Sequence, residues 1–261
     1  MASRKTERLH RSKKLKQKEN TITNTSAVPE AGSGQAVSPR GRFFATQEFH
    51  YETLRNAGYI ASGSAELGEV LETVKVITEG DVQSWYTAWK ATADRVLALA
   101  ERTQDSLSRG GAYMRASTYQ RTAEFLIPPD DPKRPESFQK TGSYFFKGLD
   151  TLGVRYERIT IPYGAGNLRA LYFEGPQGAE AKPLIVFGGG FDSVLEEYYP
   201  NFAEAALKRG YSVLTYEGPG QGEALRKYGL TYTPDGRSQS RRCSTNFCVL
   251  TPNLRRLCSS A

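Results

Sequence analysis

An apolar run at 183–187, Pro-Leu-Ile-Val-Phe, opens directly onto three glycines, Gly188, Gly189 and Gly190, and then onto Phe191, Asp192 and Ser193. A short run without polar alternation reads as a central strand buried on both faces. Helical spacing follows over 194–209, with Leu195, Tyr199, Phe202 and Ala206 on its apolar face and Pro200 expected to kink or divide it. Ser193 and Glu196 have the spacing of a capping box. Gly210 ends that stretch, and 211–216 is apolar again. Strand, helix and strand with both strands apolar predict a right-handed parallel βαβ unit, which places the chain in the α/β class.

Upstream the period differs. From about 43 to 149 the spacing is helical. Leu67, Val70, Leu71, Val74 and Ile77 recur on one face. Asp81 is the expected N-cap of a longer helix whose apolar face is Val82, Trp85, Trp89, Val96, Leu99 and Ala100. Arg109-Gly110-Gly111 is read as its C-terminal stop. Two more helices are expected at 112–126 and 137–149, separated by a loop containing Pro128, Pro129 and Pro132. After Leu152 and Gly153 come two β-like runs, 156–161 and 168–173, with Gly164-Ala165-Gly166-Asn167 between them, the pattern of a hairpin. The expected organisation is a disordered basic arm at 1–42, a helical segment at 43–153, an α/β core at 154–235 and an aberrant or disordered tail at 236–261.

The net charge of +7 comes from the ends. Residues 1–40 carry nine Lys/Arg against three Glu, residues 236–261 carry five Arg and no acid, and the 41–235 body is left at −4. No aromatic residue interleaves the basic run from Arg4 to Lys18, so a stacking nucleic-acid surface is not indicated. No stretch of eighteen apolar residues occurs, and no apolar segment follows the charged N-terminus as in a secretory signal. Nucleic acid and membrane are therefore not expected partners, and the cytoplasm is the default compartment, with the basic run at 14–18 a weak nuclear signal at most. Cys243, Cys248 and Cys258 all lie in the last 26 residues and match no zinc pattern. Neither a metal nor another cofactor is expected.

The glycine loop admits two chemistries. A Gly-rich strand-to-helix turn can seat a pyrophosphate, with an acid at the end of the next strand, here Glu217, on the ribose. Against this, Ser193 stands where close helix–strand packing wants a third glycine, and Asp192 would set a carboxylate near the phosphates. The same turn can instead aim backbone amides at an oxyanion. The second loop, Glu217-Gly218-Pro219-Gly220-Gln221-Gly222, favours the oxyanion reading, because a dinucleotide fold has no use for a second glycine cluster there. Two tight turns without chemistry are the bland alternative for that loop.

Gly189-Gly190-Phe191-Asp192-Ser193 with Glu196-Glu197, Tyr216 to Gly222, and Thr231-Tyr232-Thr233-Pro234-Asp235 together resemble a family of α/β-hydrolases that includes 2,6-dihydroxypseudooxynicotine hydrolase and the fungal polyketide-shortening hydrolase of melanin synthesis. The helical part agrees, through Ser84-Trp85-Tyr86 with Trp89, and Tyr113 to Ser117 with Tyr119, Arg121, Ala123, Glu124 and Phe125. The resemblance covers about 43–235. It implies a serine hydrolase acting on a C–C bond next to a ketone, or on an ester, with a helical cap segment over an α/β core and a small-molecule ketone or ester as substrate. Members are often dimeric, which leaves a homodimer open. By resemblance, the amide of Phe191 or Gly190 is half of an oxyanion hole, and Tyr119 and Arg121 line the substrate cleft, although helix packing and a surface ion pair account for those two side chains equally well.

The sequence departs from the family beyond Asp235. No Gly-x-Ser-x-Gly elbow occurs in the 261 residues, and the two histidines are His10, in the basic arm, and His50, expected to be a structural or surface residue. No catalytic Ser–His–Asp set can therefore be named. From Gly236 the acids vanish and periodicity fails, so the tail reads as foreign to the fold: a frameshift, a retained intron or a mispredicted gene end, with a genuine disordered terminus as the other reading. The functional expectation is a hydrolase-family chain that is inactive as written; a non-catalytic remnant or binding partner of full-length relatives and a nucleotide-binding domain are the alternatives.

Overall fold

The structure, a computed structural model, describes residues 42–176 and 183–233. The expected arm before residue 42 and the tail at 236–261 lie outside the described residues.

The helical segment is built from five helices: α1 (Gln47–Gly58), α2 (Leu67–Val74), α3 (Val82–Arg102), α4 (Ser106–Phe125) and α5 (Lys133–Thr151). Asp81 caps α3 as expected, its carboxylate accepting from the amides of Gln83 and Ser84 at 2.9 and 3.2 Å. Trp85, Trp89 and Tyr119 are fully buried where α3 meets α4. The Trp85 indole donates to the Thr122 carbonyl at 2.8 Å, which satisfies the one polar atom of a large apolar side chain. His50 is structural, its Nδ1 accepting from the Phe43 amide at 3.2 Å.

Three helical expectations need correction. Helix α3 stops at Arg102, and Gly110 and Gly111 lie inside α4, which Asp105 caps by accepting from the Ser108 amide at 2.8 Å. Gly110 marks a close helix crossing: a Cβ there would stand 2.6 Å from Leu152. Leu67, Leu71 and Leu99 are exposed at the edges of their helices, whereas Val70, Thr73, Val96 and Ala100 are buried. Helix α5 begins at Lys133, four residues earlier than its apolar spacing indicates, because Pro135 fits a first turn whose amides need no intrahelical partner.

Downstream, β1 (Tyr156–Tyr163) and β2 (Gly166–Phe173) form the expected hairpin, closed by Gly164 and Ala165 with Tyr163 opposite Gly166. β3 (Leu184–Gly188) and β4 (Ser212–Tyr216) pair in parallel. Between them the chain passes through a 3₁₀ turn (Leu195–Glu197), a π turn (Tyr199–Ala203) and the short helix α6 (Glu204–Leu207). Pro200 thus divides the helical stretch as its missing amide requires. Helix α7 (Gly222–Tyr228) follows β4. The mixed sheet has the order β1-β2-β4-β3, with β2 antiparallel to β4.

This order corrects the reading of 183–187. β4, buried along most of its length, is interior together with β2, and β3 lies at the edge of the described sheet. β3 pairs on one side only, and Val186 is 42% exposed. An apolar run records what a strand can bury, and the face and edge left open depend on what else is in place. Among the described residues no helix is long and apolar enough to cross a membrane, and no group of His, Cys, Asp and Glu is arranged to hold a metal.

Candidate functional site

Two loops leave the same end of the parallel pair, 189–194 after β3 and 217–221 after β4. Gln221 fastens one to the other. Its side-chain oxygen accepts from the Gly218 amide at 2.6 Å, and its Nε2 donates to the carbonyls of Gly189, at 3.1 Å, and Gly190. No described peptide bond is cis, so each N–H points opposite to the carbonyl of its own peptide. With the Gly189 and Gly190 carbonyls held by Gln221, the amides of Gly190 and Phe191 point away from it. No described residue accepts from either amide. Gly189 has to be glycine because a Cβ would fall 2.3 Å from the Tyr198 ring. Two adjacent outward amides on a fixed loop can stabilise negative charge that develops in a transition state.

Glu217 is the anchor of the second loop. It is fully buried, and both of its oxygens are committed. Oε1 accepts from Arg169 Nη2 at 2.5 Å and from the Leu195 amide at 3.0 Å. Oε2 accepts from Arg169 Nε at 2.9 Å and from the Glu223 amide at 3.1 Å. A carboxylate offers about four acceptor sites, so nothing remains for a ribose hydroxyl. That removes the acid on which a dinucleotide reading depends. Gly222 allows the close seat: a Cβ on it would lie 1.7 Å from Glu217 Oε1, and its φ of +37° suits glycine.

Arg169, from the middle of β2, also donates to Glu196 Oε1 at 2.8 Å. Burial opposes its charge, but Glu196 and Glu217 outweigh that and hold the guanidinium firmly protonated. This engagement of Glu196 corrects the expected capping box. The return bond is made one residue later, where Glu197 Oε2 accepts from the Val194 amide at 2.9 Å, and Ser193 is not the cap.

The two proposed cleft residues part company. Tyr119 sits in the helical core, fully buried, donating to Glu69 Oε2 and accepting from the Glu66 amide, both at 2.8 Å. Arg121 borders a small cleft, partly open to solvent, along with Glu52, Arg55, Tyr59, Glu196 and Glu197. Arg121 is buried, and its Nη2 donates to the Asp192 carbonyl at 2.7 Å. The cleft thus abuts the glycine loop. Phe191 is 72% exposed, with its ring edge-on to Tyr232 at 5.9 Å.

Sequence reasoning missed Arg169, Arg55 and the clamping role of Gln221. Gln221 had a signal, standing between two glycines of the second loop. Arg169 had none, because its partners lie 27 and 48 residues away.

The chain is 38% identical over 213 residues to the hydrolase acrC of Aspergillus aculeatus, a match that covers 74% of this chain and 50% of that protein. It is 38% identical over 194 residues to the 20-hydroxy-prefusarin hydrolase of Gibberella moniliformis, covering 71% and 46%. It is 35% identical over 217 residues to the hydrolase pyiE of Pyricularia grisea, covering 76% and 46%. Its fold matches the crystal structure of 2,6-dihydroxy-pseudo-oxynicotine hydrolase with a TM-score of 0.53 at 23% identity, over 66% of this chain and 47% of that one. No protein-family model matches. The chain spans about half the length of the curated relatives it matches. The resemblance carried by the two glycine loops and the helical segment is thereby borne out: the chain is similar to curated hydrolases over about three quarters of its length and shares the fold of an α/β-hydrolase.

Proposed function

We propose that residues 189–193 are the oxyanion loop of a serine hydrolase that cleaves a C–C bond next to a ketone, or an ester, in a small molecule. The Gly190 and Phe191 amides are the donors, and the helical segment at 43–153 is the cap over the core. The observation that carries this reading is the Gln221 clamp, which turns both amides of the loop outward with no acceptor among the described residues. The 261 residues contain no Gly-x-Ser-x-Gly, so as they stand they lack the nucleophile that such a loop would serve. We therefore assign no hydrolytic turnover to this sequence as written. Homodimer formation and a cytoplasmic location complete the proposal.

The test compares the 261-residue chain with one extended along the downstream genomic reading frames. The chain as written should not hydrolyse p-nitrophenyl acetate above buffer. The extended chain should do so, and Phe191→Pro, which deletes one donor, should lower its kcat by about 100- to 1000-fold. Absence of any Gly-x-Ser-x-Gly with later Asp and His in those frames, or an unchanged kcat in the Phe191 variant, would defeat the reading.

A further inference from the structure

The glycine loop is held by the core on one side and by the helical segment on the other. Arg121 of α4 donates Nη2 to the Asp192 main-chain carbonyl at 2.7 Å. Arg55 of α1 donates Nη1 to the Asp192 carboxylate at 2.8 Å and Nη2 to Glu197 Oε1 at 2.8 Å. The Tyr59 hydroxyl, just beyond α1, also donates to Glu197 Oε1, at 2.9 Å. Glu197 in turn takes the Val194 amide. Both ends of Asp192-Ser193-Val194 are therefore tied to helices more than seventy residues upstream.

We infer that Arg121 is a positioning residue for the oxyanion loop, with Arg55 as its auxiliary, so that the helical segment helps to set the direction of the Phe191 amide and does more than cover the core. The inference rests on the oxyanion reading for its functional meaning, but its geometry stands without it. The Asp192 carbonyl is two peptides beyond the Phe191 amide. Fixing that carbonyl from one side while Gln221 fixes the Gly190 carbonyl from the other restricts the Phe191 and Asp192 backbone between them. The side chain of Arg121 is 7% exposed, and its Nε and Nη1 have no acceptor among the described residues. A guanidinium buried with two of its nitrogens unpaired is poor value for stability alone. Its location is explained by the one strong bond it does make, supported by the Phe125 ring 4.7 Å from its Cζ and by Glu197 at 4.0 Å. The cleft beside it is not a free anion site, because Glu52, Glu196 and Glu197 line it together with the two arginines.

The test is hydrogen–deuterium exchange on the full chain at low micromolar concentration. The reporters are the amides of Ser193, Val194 and Leu195, which are bonded to the Gly190 carbonyl, Glu197 and Glu217. Arg121→Met should speed their exchange at least about tenfold, while β4 amides keep their wild-type rates. Arg121→Lys, which retains one charged donor, should recover most of the protection. Unchanged reporter exchange in Arg121→Met would overturn the inference, and so would an increase spread equally over β4 and α3, the mark of a residue that serves only global stability. Arg55→Met, at a more accessible position, should give the same loop-confined pattern with a smaller factor, and a flat result there overturns the inference even where the Arg121 variant does not fold. Exchange is read without turnover, so failure of the hydrolase proposal leaves this outcome unaffected.

Discussion

Replacing Glu217 with Gln changes one oxygen to an NH2 group in a seat built for four donors. A glutamine can turn either way. In one orientation the NH2 faces Arg169 Nη2 and the Leu195 amide, and in the other it faces Arg169 Nε and the Glu223 amide. Two donors lose their acceptor in both cases. Each buried donor left unsatisfied costs about 1–3 kcal/mol, which gives about 2–6 kcal/mol for the pair. The lower half of that range is expected, because Arg169 keeps Glu196 at 2.8 Å and is not left without a counter-ion. A loss of about 3 kcal/mol is a large part of the 5–15 kcal/mol that stabilises an ordinary domain. In urea unfolding followed by circular dichroism, with a slope of about 2 kcal/mol/M, the midpoint should fall by about 1.5 M. Arg169→Met should be at least as damaging, about 3–5 kcal/mol, because it strands two buried carboxylates. A Glu217→Gln midpoint within about 0.3 M of the parent would refute the claim that this carboxylate anchors the loops.

Three further outcomes follow from the same geometry. Burial opposes ionisation of Asp192, but the Arg55 guanidinium outweighs it and keeps the carboxyl below its ordinary range. Its stabilising contribution is therefore present above the unfolded value and lost as pH falls through the folded one, so Asp192→Asn should lower the melting temperature at pH 7 and match the parent near pH 2. Glu52 has the opposite sign: burial raises it against the pull of Arg55 and Arg121, so its ionisation costs stability as pH rises from the unfolded value through the folded one. Melts of Glu52→Gln should gain on the parent between pH 4 and pH 7, and a gap that narrows over that interval would contradict the assignment. Val186, 42% exposed on β3, which lies at the edge of the described sheet, should promote association, so Val186→Lys should raise the soluble fraction after centrifugation at high concentration, and no change would argue against an exposed apolar edge strand as the cause.

The parts of this fold that the sequence discloses are those decided locally. Asp81 before an apolar period, Gly164-Ala165 between alternating runs and Pro200 inside a helical stretch each act through their immediate neighbours, and each is found where it was expected. Gly110 misled because two different causes put glycine in a chain: it can stop a helix, or it can let a neighbour come close, here Leu152 just past the end of α5. β3 misled because hydrophobicity cannot say which strand is interior, and among the described residues the sheet order puts β2 and β4 there and β3 at the edge. At the site, the glycine loop itself was legible, since it is contiguous. Its supports were not. Arg169, Arg55 and Arg121 reach their carboxylates or carbonyls across tens of residues, and a surface arginine and a bracing arginine look alike in one dimension.

The spread of Glu217's partners also sets an order in which the molecule can be made. The carboxylate joins residues 48 positions before it, 22 before it and 6 after it. Ribosomal synthesis delivers them in sequence, so the hairpin and the 189–194 loop leave the ribosome before the acid that fixes them, and Glu223 emerges last. Until then Arg169 has only Glu196 to bind and the Leu195 amide only water, so the loop is held from the helical side alone. The glycine turn is thus written early in the chain and set late in folding, and a nascent chain paused before residue 223 should expose its glycines to protease.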